Sequence, residues 1–293
     1  MCLRFLMLIL VCLLPQVGLS AKKKGGKKEE HVKVNAKKVV EFAIVVNAHN
    51  SEAWIKHCLE SIFSQSYPLY TIYIVNDASD DNTARAVEDY IKQGNLRIFC
   101  KVFNNKEEKG PLANLMTIVD KIPESKVVIP MNGNDWFATP HALQIMAAFY
   151  ENPNTWLTYG LYQSYPQNYP SPSRAFPADV LFTNSFRNYP WIAVPPRSFY
   201  AKLFQLIRKD DLQITNDRYF TDAADAAYMY PILEMASQNH IKYIDTVLYV
   251  CNLVYREDVF KITIDKNCDE AKILRAKLPY APLPSLFFMP LPK

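Results

Sequence analysis

From about residue 39 onward, apolar positions alternate between two rhythms. Short β-rich runs predict strands over 39–46, 70–75, 96–102 and 125–130, and runs at helical spacing predict helices over 53–65, 83–93 and 111–120. In the first helix Trp54, Cys58, Leu59, Ile62 and Phe63 share a face. Thr139-Pro140 has the form of a helix start, Thr as N-cap and Pro at the first helical position, leading into a helix to about residue 151. This alternation predicts an α/β fold, a mostly parallel sheet covered by helices, with ligands beyond the carboxyl ends of the strands. That rule selects the loops Asn47 to Ser51, Asn76 to Asn82 and Asn132 to Trp136. Asn, Asp and Ser also form turns for their own sake. Three such loops at one sheet edge point to a polar ligand site.

From Trp156 the rhythm fades. Tyr159, Tyr162, Tyr165 and Tyr169 interleave with Pro166, Pro170, Pro172 and Pro177, followed by Trp191, Pro195 and Pro196, which predicts a long irregular segment. Loops of that length are usually functional or disordered, and the aromatic density argues for order; alternatively the tyrosines cover the core. Downstream, 197–209 and 226–237 read as helical, with Pro231 starting or kinking the second, 241–250 as a strand and 265–277 as a closing helix.

Composition narrows the picture. With 293 residues, 49% of them hydrophobic, the chain can bury one large core or two modest ones. The net charge of +4 owes much to the stretch AKKKGGKKEEHVK, so no nucleic-acid footprint is indicated. Arg4, the apolar run from Phe5 to Leu14 and the small residues Gly18 and Ser20 predict a secretory signal peptide over 1–20, with export or entry into the secretory pathway. The alternative is an uncleaved membrane segment with the domain on the cytoplasmic face, because the lysines after the run outnumber Arg4. Residues 21–38 read as a basic flexible linker and 281–293 as a tail. Cys2 and Cys12 lie in the leader. Cys58, Cys100, Cys251 and Cys268 are widely spaced with no zinc pattern, and buried thiols are expected, although one disulfide remains open.

The motifs AIVVNAHNSEAWIKHCLESIFSQSYP, IYIVNDASDDNT, NKEEKGPLANL and IPMNGNDWF follow one another in an order and spacing that resemble the family 2 glycosyltransferases, nucleotide-sugar enzymes of the Rossmann-like GT-A fold. The resemblance extends through PPRSFYAKLFQLI, DAADAAYMYPILEMA and LYVCNLVYREDVFK, the last containing Asn252, Asp258 and Lys261. It implies a transferase-like domain over 39–280, with a donor half to 155 and an acceptor half from 156. It also implies a nucleotide-sugar donor linked to UDP or GDP, and a glycan, lipid or protein acceptor. Donor contacts fall on Asn47, Asn50, Asp77, Gly110, Asn114, Asn132 and Asn134, acceptor contacts on Trp191 and Arg197, and the catalytic base on Asp225, with Asp222 as its neighbour. Where the family keeps two metal-binding aspartates this chain has Asn132 and Asn134, followed by Asp135 as the remaining candidate ligand.

An inverting transfer needs a carboxylate to take the acceptor hydroxyl's proton as that oxygen attacks the anomeric carbon. Asp225 lies in an apolar stretch expected to strengthen it as a base; an acid near a helix start also simply suits the helix dipole. Amide oxygens bring no charge to a cation. Each lost anion at about 4 Å forfeits on the order of 4 kcal/mol per unit charge at an effective dielectric of 20. The expectation is therefore Mn2+ or Mg2+ held weakly with help from the donor's phosphates, or no metal, with Lys109 or Arg197 supplying charge. An inactive relative that binds a sugar or nucleotide is the other reading. Flat faces for pyranose rings are offered by Tyr162, Tyr165, Trp191 and Tyr200, unless the last two are core or lid packing.

Overall fold

A computed structural model describes residues 39–215, 217–254 and 269–287. The leader, the linker, Asp258, Lys261 and Cys268 lie outside these. The strands are β1 (Phe42–Ala48), β2 (Tyr70–Asn76), β3 (Cys100–Asn104), β4 (Val127–Asn132), β5 (Trp136–Phe137), β6 (Leu157–Tyr165), β7 (Ser198–Tyr200), β8 (Gln213–Thr215), β9 (Arg218–Tyr219) and β10 (Ile241–Asn252). The helices are α1 (Ile55–Phe63), α2 (Thr83–Gly94), α3 (Pro111–Val119), α4 (Ala142–Tyr150), α5 (Ala178–Thr183), α6 (Ala201–Gln205), α7 (Ala224–His240) and α8 (Asp269–Ala276).

One eight-stranded sheet, in the order β3-β2-β1-β4-β7-β6-β10-β5, runs through both halves of the domain. The pairs β3–β2, β2–β1, β1–β4 and β6–β10 are parallel. The short β7 is antiparallel to both β4 and β6, so those two run the same way and their carboxyl ends meet at one edge. β1 is buried on both faces, as a central parallel strand covered by helices must be. α1 turns Ile55, Cys58, Leu59 and Ile62 inward at helical spacing. Asn95, at a φ of 53°, closes α2 in the left-handed conformation that Asn tolerates.

The second half departs from the expected pattern. The stretch from Trp156 begins with β6, and only from about residue 166 is the chain irregular. Gly160 interrupts the pattern because a Cβ there would meet the Ile244 carbonyl at 3.1 Å on the neighbouring strand. The helix expected over 197–209 is reduced to α6, since Phe199 and Tyr200 are drawn into the sheet opposite Val128 and Val127. The strand expected over 96–102 begins only at Cys100, after a turn of 3-10 helix. Thr139-Pro140 does not start α4. The Thr139 carbonyl accepts from Gln65 Nε2 at 2.8 Å and the Pro140 carbonyl from the Ser66 N–H at 2.8 Å. Buried Gln65 also accepts from the Leu143 N–H at 3.0 Å, capping the helix that begins at Ala142. Pro231 lies inside α7, whose non-helical residue is Ser237. Cys58 and Cys100 are buried free thiols and Cys251 is a half-buried one. Among the described residues no helix is long and apolar enough to cross a membrane.

Candidate active site

A cleft of about 400 Å³ opens at the carboxyl edge of the sheet. Asn47 from β1 and Asn132 from β4 form its floor with Asp135, the first turns of α3 and α7 face it, and Trp191 and Arg197 close the far side. Two helix amino termini directed at one cavity favour a negatively charged ligand.

The floor depends on close approach of two loops. A Cβ on Gly133 would lie 2.8 Å from Ala48 Cβ, so only glycine lets the turn after β4 rest on the end of β1, where its N–H donates to the Asn47 carbonyl at 2.8 Å. Asn132 Oδ1 accepts from the Asn134 N–H at 2.9 Å in an Asx turn. Asn134 itself is not part of the cleft wall. Asp135 is buried, its Oδ2 accepting from the Tyr249 hydroxyl and its Oδ1 from the Asn252 N–H, each at 2.9 Å. Burial pushes the Tyr249 hydroxyl far above its ordinary range, and the Asp135 carboxylate adds to this, so Tyr249 stays a donor.

Asp77 lies behind the cleft wall, buried beneath the amino terminus of α3. Its Oδ1 accepts from Asn105 Nδ2 at 2.7 Å and the Lys109 N–H at 3.0 Å, and its Oδ2 from the Gly110 N–H at 2.9 Å. Burial alone would raise its pKa. The amides of Asn114 and Asn105 and the two backbone N–H groups outweigh that and hold it below the usual carboxylate range. Gly110, at a φ of +81°, makes the turn that brings these N–H groups round. Asn105 also donates to Asn114 Oδ1 at 2.8 Å, and Asn114 Nδ2 donates to Asn47 Oδ1 at 2.7 Å. Asn50, exposed at a φ of 47°, ties two loops together by accepting from the Asp80 N–H at 3.1 Å.

On the opposite wall Arg197 is buried with Nη1 and Nη2 each 2.5 Å from an Asp225 oxygen. Arg197 also donates to the Tyr228 hydroxyl at 2.9 Å, and Tyr228 donates to Asp225 at 3.3 Å. The apolar enclosure expected of Asp225 is thus corrected: its side chain is 42% exposed to the cleft and clamped by a guanidinium. Arg197 is turned onto Asp225 and not into open space. Trp191 packs edge-on against Tyr230 and lines the cleft, as does Tyr162. Tyr200 is core, packed against Tyr150 and Phe287. Tyr165 stands outside the cleft with Trp54 and Trp136.

The cleft thus unites Asn47, Asn132, Asp135, Trp191, Arg197, Asp222 and Asp225, and leaves Asn50, Asp77, Gly110, Asn114, Asn134 and Lys109 outside its wall. Sequence reasoning missed Asn105, Tyr228 and Tyr249. Asn105 follows β3 at the same sheet edge as the three loops chosen, so the carboxyl-end rule could have included it. Nothing local marks the two tyrosines. A divalent cation fits this donor set poorly: positions 132 and 134 carry neutral amides, Asn134 lies outside the cleft wall, and among the described residues no group of three or more His, Cys, Asp or Glu is placed to hold a metal.

Comparison with known proteins places this geometry. Poly(ribitol-phosphate) beta-N-acetylglucosaminyltransferase TarS of Staphylococcus aureus is 27% identical over 113 residues, which is 38% of this chain and 19% of TarS. The chain therefore matches only about a fifth of the length of that relative. The TarS structure in complex with UDP-GlcNAc superposes with a TM-score of 0.58 at 18% identity, covering 81% of this chain and 66% of the other. The mannosyltransferase PcManGT from Pyrobaculum calidifontis, in complex with GDP-Man and Mn2+, gives a TM-score of 0.52 at 17% identity over 74% of this chain and 58% of its own. These likenesses establish the GT-A fold. The family model for glycosyl transferase family 2 matches residues 43–261, and the chain belongs to that family.

Proposed function

We propose that the protein transfers a sugar, with inversion, from a UDP- or GDP-linked donor to a hydroxyl of a glycan, lipid or protein acceptor. The observation that carries this reading is Asp225, a carboxylate exposed to the cleft and aimed by Arg197 and Tyr228. The acceptor O–H gives its proton to Asp225 while its oxygen bonds to the anomeric carbon, and the bond from that carbon to phosphate oxygen breaks, releasing the nucleoside diphosphate. Arg197 holds the carboxylate at one angle through two hydrogen bonds, so the acceptor hydroxyl must approach the exposed side. In this reading the donor lies against Asn47 and Asn132 and the acceptor against Trp191, all three of which line the cleft.

The test is release of nucleoside diphosphate from UDP-GlcNAc, UDP-glucose and GDP-mannose, with NMR of the product's anomeric configuration. Asp225→Asn is expected to slow release by about 10²- to 10⁴-fold. A retained configuration, or full activity in Asp225→Asn, would sink the mechanism. The amides at Asn132 and Asn134 favour a second reading, a catalytically inactive binding or scaffold protein. Nucleotide binding by a wild-type chain that releases nothing from any donor would establish that one instead.

A further inference from the structure

We propose that Asn47 and Asn132 present amide nitrogens, not oxygens, to the cleft, and that these bind acceptor oxygens of a nucleoside diphosphate directly, with no bridging cation. The inference rests on the donor-binding reading above and deepens it.

The polarity of both amides follows from their partners. Ionised Asp77 only accepts, so Asn105 must turn its NH₂ towards it at 2.7 Å. The same nitrogen lies 2.8 Å from Asn114, which must therefore offer Oδ1. That leaves Asn114 Nδ2 to face Asn47 at 2.7 Å, so Asn47 must answer with Oδ1. Asn132 is fixed independently, because the backbone N–H of Asn134, 2.9 Å away, can only donate. Asn47 and Asn132 are register partners on adjacent parallel strands, and both line the cleft. Among the described residues neither Nδ2 has a protein partner. Side by side, the two nitrogens offer two N–H bonds each to whatever occupies the floor. A cation requires lone pairs there, whereas a phosphoryl or nucleobase oxygen requires donors. Asp135, the carboxylate that lines the cleft floor with the pair, already accepts from Tyr249 and Asn252.

Isothermal titration of the full chain with UDP, GDP, uridine and pyrophosphate, in EDTA and then in Mn2+, tests this. Wild type is expected to bind UDP or GDP in EDTA, with little gain from Mn2+. Asn47→Asp and Asn132→Asp should each weaken binding in EDTA by about 10- to 100-fold, as acceptors replace donors. Mn2+ should restore part of the loss in Asn132→Asp. Asp77→Asn, outside the cleft, should weaken binding in the wild-type background and have little effect in Asn47→Ala, a coupling that a purely structural role would not produce. Pyrophosphate sensitive to the variants locates the bonds on phosphate; uridine sensitivity locates them on the base. Thermal melts identify any variant that has unfolded, and Asn132→Ala then carries the comparison. Binding by wild type only with Mn2+, undiminished binding by both acid variants, or additive effects of Asp77→Asn and Asn47→Ala would overturn the proposal. A wild type that binds no nucleotide under any condition overturns the donor reading itself, an outcome distinct from the other three.

Discussion

Asp77 turns both carboxylate oxygens inward, onto two backbone N–H groups and an Asn. A carboxyl depressed in the folded state stabilises the protein above its unfolded value of about 4, and that stabilisation is lost as pH falls through the lower folded value. The thermal midpoint of wild type should therefore drop more steeply than that of Asp77→Asn as pH is taken below about 4. Parallel curves for the two proteins through that window would show that Asp77 carries no linked proton. The buried Arg197 guanidinium must be paired, and Asp225 supplies the partner through both of its oxygens.

At the scale of elements, the amino terminus of α7 carries Asp225, yet no side chain of its own caps it. Glu270 of α8 fills that place. Its Oε2 accepts from the N–H groups of Thr221 and Ala223 at 3.0 Å each, and its Oε1 from the Thr221 hydroxyl at 3.2 Å. Glu270→Ala should cost about 1 kcal/mol, the usual worth of a cap, and accelerate amide hydrogen exchange at residues 221–223, with Glu270→Gln between the two. Unchanged exchange in Glu270→Ala would refute the cap. How far such elements can be read from sequence depends on how local their causes are. β1, β2 and α1 announce themselves, because continuous burial or a single buried face writes its period into the residues. β6 hides behind a glycine needed by the next strand, and β7 is three residues whose only reason to be extended is the gap between β4 and β6. Asp225 stood out through its motif. The direction in which Asn47 points did not, since it is decided by residues 58 and 67 positions away.

For the whole molecule, the decisive tie is a buried ion pair outside the cleft wall. Arg187 Nε and Nη2 meet Glu234 at 2.5 and 3.0 Å, Arg187 Nη1 donates to the Leu274 carbonyl, and the Tyr280 N–H donates to Glu234 at 2.9 Å. These bonds fasten α8 and the chain after it to α7. Removing one partner leaves the other charged and buried, so Glu234→Ala should cost about 3–5 kcal/mol in denaturant unfolding and expose the C-terminal segment to protease. Replacing both partners with methionine should recover most of that loss; a cost below about 1 kcal/mol for the single change would show the pair to be dispensable. The amide relay under the cleft also binds separate parts of the fold. Its members stand on β1, after β2, after β3 and in α3, and each dictates the orientation of the next. A substitution at any one reverses or breaks the series unless another compensates, so across descendants of this chain the four positions should be inherited as a single character, changing together or not at all.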